Sequence, residues 1–582
     1  MQYPQLKVIP SQRQMVDVFR GYNHNLRVSD GEFFNMKNMT SDHYPVLSPR
    51  GKRGFFAKPA SPQGLIAKDA ICYVDGREFV MGEYRVDMGL STAAEDCPKQ
   101  LVSMGAYVII MPDKKYINTM DITDFGNIEA SFESTTDVSF ALCTVTGDTY
   151  SDTTISPDAP SNPANLDYWI DTSSIPHTLK QYSATSSMWV SIATTYVKIS
   201  ATGIGKAFNQ YDGVTISGIA DANLQDLNGT MVIQAKGDDY IVVIGILDAV
   251  TTQSEAIKVE RRMPHLDFVI ESGNRLWGCR YGTAVNGDVV NEIYASKLGD
   301  FRNWSCFMGL STDSYTASCG TDGQFTGAIT HMGYPLFFKE NCVHKVYGNY
   351  PANFQIQDTA CRGVQKGCHN SLAIVNETLF YKSRGGICAF DGSLPTDASY
   401  VLGNESYSDA VGGAHGNKYY VSMKHSDGTW HLFVYDMAKR MWHREDNFHV
   451  SAFCSNKGEM YAIDADNRNI ITLFGSGDVF EENVEWMAET GELGISSPDM
   501  KYISRITIRM SMEADSVMDI YAQYDLSNEW SHLCNIRGTD LRSFSIPIRP
   551  RRCDHMKLRF VGVGAAKIYS WTKTIEQGSE LS

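Results

Sequence analysis

A period of about forty residues constrains this chain more than any other feature. Between Gly327 and Gly475 one short pattern occurs four times. A small residue and an apolar residue open each copy: Ala328-Ile329, Ala373-Ile374, Ala410-Val411 and Ala452-Phe453. An apolar triplet follows, then a polar turn, then a second apolar run. The triplets are Leu336-Phe337-Phe338, Leu379-Phe380-Tyr381, Tyr419-Tyr420-Val421 and Met460-Tyr461-Ala462, spaced by 43, 40 and 41 residues. An all-strand repeat of that length predicts propeller blades. A four-stranded blade leaves its faces bare until neighbours cover them, so blades come in sets.

The remaining composition fits an all-β protein. Gly, Ser, Thr and Tyr are frequent, and helical periodicity is scarce. A net charge of −16 and a pI near 5.4 argue against broad wrapping of nucleic acid. No run of 18 apolar residues occurs and Met1-Gln2-Tyr3-Pro4 starts no signal peptide, so we expect a soluble chain made in a cytosol, with no membrane contact. The 13 cysteines are scattered, without a CxxC, and Cys361 and Cys368 are the closest pair. Buried reduced thiols fit that pattern better than a disulfide framework.

Along the chain, the pattern predicts an N-terminal arm (1–60), a first propeller segment (61–124), an inserted β region of one or two small domains (125–263), a second propeller segment (264–478) and a C-terminal sandwich-like unit (479–582). The propeller would have six or seven blades. Asp75-Gly76 and Lys236–Asp239 read as hairpin turns. Ser156–Pro163 reads as a turn-rich linker. Ile503–Met510, Val517–Tyr524, Ser543–Ile548 and Met556–Val561 read as separate alternating strands. Strands near 60–120 should pack beside the blade near 450–475.

Catalytic motifs are sparse. No G-x-S-x-G, H-E-x-x-H or G-x-x-x-x-G-K-[ST] occurs. Ser426-Asp427-Gly428-Thr429-Trp430 has the residues of a sialidase Asp-box without its spacing, and reads as a hairpin tip. Asp464-Ala465-Asp466-Asn467-Arg468-Asn469 lacks the Gly and Glu of a calcium loop, and reads as a polar turn. The expectation is therefore no catalytic residue, no metal and no cofactor. Two sets of residues remain as contact candidates. The arm carries nine cations against four carboxylates, and its Arg50, Lys52 and Arg53 are either a dock for an acidic neighbour or a solvated cluster. Tyr168, Trp169, Tyr182 and Trp189 of the insert either contact a ligand or partner or fill a small core.

Four segments resemble the tail nozzle or hub proteins of short-tailed bacteriophages, the packaged-DNA stabilisation family. They are Asn25–Met39 with Tyr44-Pro45 and Ser48–Gly51; Asn274–Trp277 with Glu292–Ser296 and Gly299–Trp304; Leu336–Gly348; and Gly385–Gly392. Their shared order covers the arm and most of the propeller, while the insert and the C-terminal unit lie outside it. The resemblance implies a non-enzymatic virion tail component. It implies a homo-oligomeric ring, such as a hexamer, around the DNA exit channel, retaining the genome and helping its ejection. Its partners would be adaptor or portal proteins, fibres, and DNA passing without sequence-specific binding. Two other classes stay open: a tail-tip or baseplate module whose insert touches a host receptor or fibre, and a propeller glycosidase.

Overall fold

A computed structural model describes residues 11–284, 287–479, 481–495, 500–525 and 527–577. The chain is all-β and carries propeller blades, an inserted β region and a C-terminal sandwich. It divides into two compact units, one of 1–99, 338–343 and 359–582, the other of 100–337 and 344–358.

The forty-residue period corresponds to antiparallel four-stranded sheets. In each repeat the small-apolar opening lies on the first strand and the triplet on the second, as in Tyr407–His415 and Lys418–His425. Second strands are covered on both faces, which is why they read as unbroken apolar runs. Phe337, Phe338, Tyr381, Tyr419 and Val421 are all fully buried.

The first unit holds the blades that start at Pro62–Ala67, Ala373–Val375, Tyr407–His415 and Val450–Asn456. The last of these is finished by the arm. Gly54–Ala57 pairs antiparallel with Ile470–Thr472, setting Ile471 opposite Phe55 and Thr472 opposite Gly54. Beside it, Leu65, Ile71, Tyr73 and Val80 pack on Ala452, Ile463 and Ile470. Of the 60–120 stretch expected beside the blade near 450–475, the strands at 62–75 and Val80 pack there, while those from Gln100 onward belong to the other unit; a distant strand completes the blade.

The C-terminal sandwich departs from the sequence reading. Ile503–Met510 and Val517–Tyr524 are not two strands joined by a reversal but one strand, Lys501–Tyr524. It kinks at 513–516, where its register against Ser531–Ile546 shifts. Its first half pairs with Ala566–Gln577 and its second with Met556–Val563, so the bent strand joins both parts of one nine-stranded sheet. The exposed Glu513-Ala514-Asp515 looks like a loop in sequence; in space it is the outside of a bend. Gly538 packs into that bend, where a Cβ would meet the Ala514 carbonyl oxygen at 2.5 Å. The arm supplies further strands. Ser11–Val16 pairs with Ala566–Gln577, and Glu32–Lys37 pairs with Glu485–Thr490. The sandwich is therefore built from both ends of the chain. Phe19 and Phe33 meet Trp571 edge to face within its core.

The second unit holds the blades that start at Gln100–Met104 and Phe268–Ser272 and most of the one that starts at Gly327–His331. Trp304, Phe301, Ile109 and Leu276 fill one of its cores. The insert leaves and rejoins on adjacent antiparallel strands, with Ala130 opposite Arg261. Its two main sheets share a core of Val138, Phe140, Ile199 and Val243 with Val214, Ile216 and Val259. A third small sheet spans Thr153–Ser156, Tyr168–Asp171, Thr178–Ser183 and Met188–Ser191. The first hairpin turn falls one residue beyond its predicted place, and the second lies within its predicted stretch. Asp75 pairs with Glu78 around Gly76-Arg77, and Gly237 pairs with Tyr240 around Asp238-Asp239. None of the 13 cysteines is bonded to another; eight are buried and five half-buried.

Candidate functional site

The arm cluster turns inward, contrary to a docking patch. Arg50 and Arg53 are 8% and 4% exposed, while Lys52 between them faces solvent. Residues 50–53 lie in irregular backbone just before the strand Gly54–Ala57, and that backbone turns both arginines inward and the lysine outward. Arg50 donates to both oxygens of Glu481, at 2.6 and 2.8 Å. Arg53 donates to Asp446 at 2.7 Å and to Glu445 at 2.7 Å, with its guanidinium over the Phe448 ring. Burial tends to raise the Asp446 carboxyl, but Arg53 and Arg50 hold it below its ordinary value. Glu481 is lowered in the same way by Arg50 against its own burial. The two arginines are thus neutralised inside the chain, where they join the arm to the segments that precede and follow the last blade.

The aromatic quartet divides by strand alternation. Tyr168 lies on the face that packs on Leu142, Ile170 and Leu179, with its ring tilted against Tyr150 at 4.6 Å. Trp169, Tyr182 and Trp189 share the other face. Trp189 meets Trp169 at 5.4 Å and Tyr182 at 5.3 Å. Lys180 places its ammonium 4.7 Å above Trp169 and pairs with Asp171 at 2.7 Å. Trp169 is buried and donates to the Ser156 carbonyl; Tyr182 and Trp189 are half-buried. Sequence reasoning gave the residues but not the partition, which needs the register.

A histidine cluster went unseen because its members are far apart in sequence. Glu405 lies 2.6 Å from His425 Nε2 and 3.6 Å from His24 Nε2, so it links the arm to a blade. His425 Nδ1 is 3.0 Å from Asp427, and its ring stacks on His431. Glu405 and Asp427 outweigh burial and raise the His425 pKa. Burial, then Arg444 and His425, depress His431 to about 4. A separate cleft of about 470 Å³ is lined by His415, Lys418, Lys439, Asp42 and Phe474. Both of its lysines are paired, Lys418 with Asp42 and Lys439 with Asp436.

The two predicted turns are turns. Asp427 accepts from the Thr429 amide and hydroxyl at a hairpin tip. Asp464 is committed to the Asp466 and Asn467 amides. Among the described residues no group of three His, Cys, Asp or Glu side chains is placed to hold a metal ion. No helix of the described residues is long and apolar enough to cross a membrane.

No family model matches this chain, and no curated protein matches it. Several solved structures are similar to it. One is the acylaminoacyl peptidase of Pyrococcus horikoshii, at 8% identity and a TM-score of 0.24, over 54% of this chain and 55% of that one. The chain thus spans about half the length of that peptidase. Another is an exo-β-1,3-galactanase of Phanerochaete chrysosporium, at 9% identity and 0.19, over 52% and 94%. A third is a Trypanosoma rangeli sialidase, at 7% identity and 0.24, over 96% and 95%. Likenesses this distant assign no activity. They do correct the expectation that the chain is not an enzyme: its similar structures include hydrolases, and the lack of a short motif does not exclude catalysis.

Proposed function

We infer that this chain is a structural component of a bacteriophage tail, of the nozzle or hub kind. In this reading copies form a ring around the DNA exit channel, retain the genome and take part in its release. The partners are further copies, adaptor or portal proteins, fibres, and DNA that slides past without sequence-specific contacts. The observation that carries the reading is the place of the N-terminal segment that resembles those proteins. Asn25–Met39 is a fixed part of the fold: Glu32–Lys37 is a strand of the sandwich, and Phe33 and Met36 are fully buried. Its resemblance therefore lies in a structural element rather than in a loose tail. The test is a phage lacking this gene: the reading expects particles that package DNA and lose it, with the product present in wild-type tails by mass spectrometry. Wild-type particles without the product would end the reading.

A second reading has an observation of its own. The Tyr182–Trp189 face lies opposite the packed face of its small sheet, as a contact surface for a receptor or fibre would. Binding of host cells by the whole protein, lost in Trp189→Ala, would favour it.

A further inference from the structure

The small sheet of the insert has two unlike faces. Strand register puts Trp169, Tyr182 and Trp189 on one of them. Trp169 lies opposite Thr154 and Lys180, Lys180 opposite Ser191, and Tyr182 opposite Trp189. Trp189 meets Trp169 at 5.4 Å and Tyr182 at 5.3 Å. Trp189 and Tyr182 keep part of their surface in solvent, whereas Trp169 is buried. The exposed aliphatic side chains of the strands, Ile155, Met188 and Val190, fall on the other face by the same register. The aromatic face therefore offers rings and polar groups only. Within the four strands the only charged side chains are Lys180 and Asp171, both on this face and paired at 2.7 Å. Asp152 and Asp167, which precede Thr153 and Tyr168 at one end of the sheet, add exposed negative charge.

A pyranose has an apolar face of C–H bonds and a rim of hydroxyls that both donate and accept. Half-exposed rings suit the first. The Lys180–Asp171 pair suits the second, since an ammonium has three donors and Asp171 takes one of them. Thr154 and Ser191 add exposed hydroxyls on either side. A polyanion finds no uncompensated cation on these strands. A flat protein partner would bury the ion pair dry, at a desolvation cost; sugar hydroxyls replace the water it loses. We propose that this face binds a neutral saccharide, with a pyranose laid on Trp189 and Tyr182 and its hydroxyls on Lys180, Asp171 and Ser191. The proposal gives the receptor reading above a ligand class and rests on that reading for its role at a host surface; the binding itself does not.

The test exposes the full chain to an array of neutral gluco-, galacto- and manno-oligosaccharides beside uronic-acid and sulfated ones, then titrates the bound members by tryptophan fluorescence. Neutral members should bind. Trp189→Ala, and Ser191→Glu, which sets a carboxylate opposite Lys180, should each weaken binding roughly 10-fold or more, and Trp189→Phe, which keeps a ring, by less than ~3-fold. Ser191 is exposed, so its variant carries the test if Trp189→Ala does not fold. No neutral ligand, binding of acidic ligands alone, or affinities unchanged in Ser191→Glu and Trp189→Ala would overturn the proposal. Host-cell binding that falls in Trp189→Ala while no saccharide binds would assign the face to a protein, sinking the proposal and leaving the receptor reading standing. Saccharide binding lost in the variants with host-cell binding intact would uphold the proposal and end the receptor reading.

Discussion

Arg50 and Glu481 form a two-pronged ion pair, with Nη1 2.6 Å from Oε2 and Nη2 2.8 Å from Oε1. Glu481 also accepts from the Arg53 amide, so one carboxylate holds the arm at both residue 50 and residue 53. The charge-rich segment that sequence alone offers as a dock is internal structure.

Removing one partner of a buried pair leaves the other charge stranded, at about 3–5 kcal/mol. Arg53→Ala should therefore destabilise the protein by about that amount, while Lys52→Ala should change stability by less than about 0.5 kcal/mol. Urea denaturation of the two variants checks this. Equal effects would mean that the inward and outward residues are not distinct.

Asp446 and Glu481 have depressed pKa values in the folded chain. A carboxyl whose folded pKa is below its unfolded value lends stability above the unfolded pKa, about 4. That stability is lost as pH falls through the folded pKa. Melting temperature should fall on acidification below about pH 4, and less steeply in Arg53→Ala, where Asp446 has lost its main partner.

The histidine pair should titrate in opposite directions. His425 is raised and His431 is depressed to about 4. By NMR, His425 should take its proton above pH ~6.5, and His431 should stay neutral down to about pH 4. The stability from His425 is present below its unfolded pKa and fades as pH rises through the folded one. His431 has the reverse sign and weakens the fold as pH falls below ~6.5. Glu405→Gln should lower the His425 pKa, which separates its carboxylate partner from burial.

The insert is anchored by one buried amide. Asn303 donates to Asp212 at 3.0 Å and accepts from the Gly213 amide at 2.9 Å; Asp212 also binds Arg261. Asn303→Ala leaves both groups short of a partner, at about 1–3 kcal/mol. Deleting 130–261 and bridging 129 to 262 with a short linker should leave a cooperative fold, because Ala130 and Arg261 are already neighbours. A broad, non-cooperative melt would show that the insert belongs to the core.

Legibility in the sequence followed the range of the interaction. Triplets such as Leu379–Tyr381 are buried on both faces of one strand, and that local fact writes a forty-residue period. The closing of the last blade by Gly54–Ala57 was not written locally. Its pairing with Ile470–Thr472 spans more than 400 residues, and only the missing neighbour hinted at it. The bent Lys501–Tyr524 strand misled because a kink and a turn both expose polar residues. Arg50 and Arg53 misled because a charge count does not show which side chains turn inward, and residues 50–53 lie in irregular backbone with no period to read. His24, Glu405 and His425 carried no signal, since each is ordinary until the fold brings them together.

The central claim is that copies of this chain form a ring in a phage tail. Cryo-electron microscopy of intact particles tests it most directly. The account predicts density for the blades and the C-terminal sandwich repeated in a closed ring around the tail axis, with DNA or its exit channel at the centre. Particles whose tails contain no such density, or a purified protein that remains monomeric and absent from the virion, would contradict it.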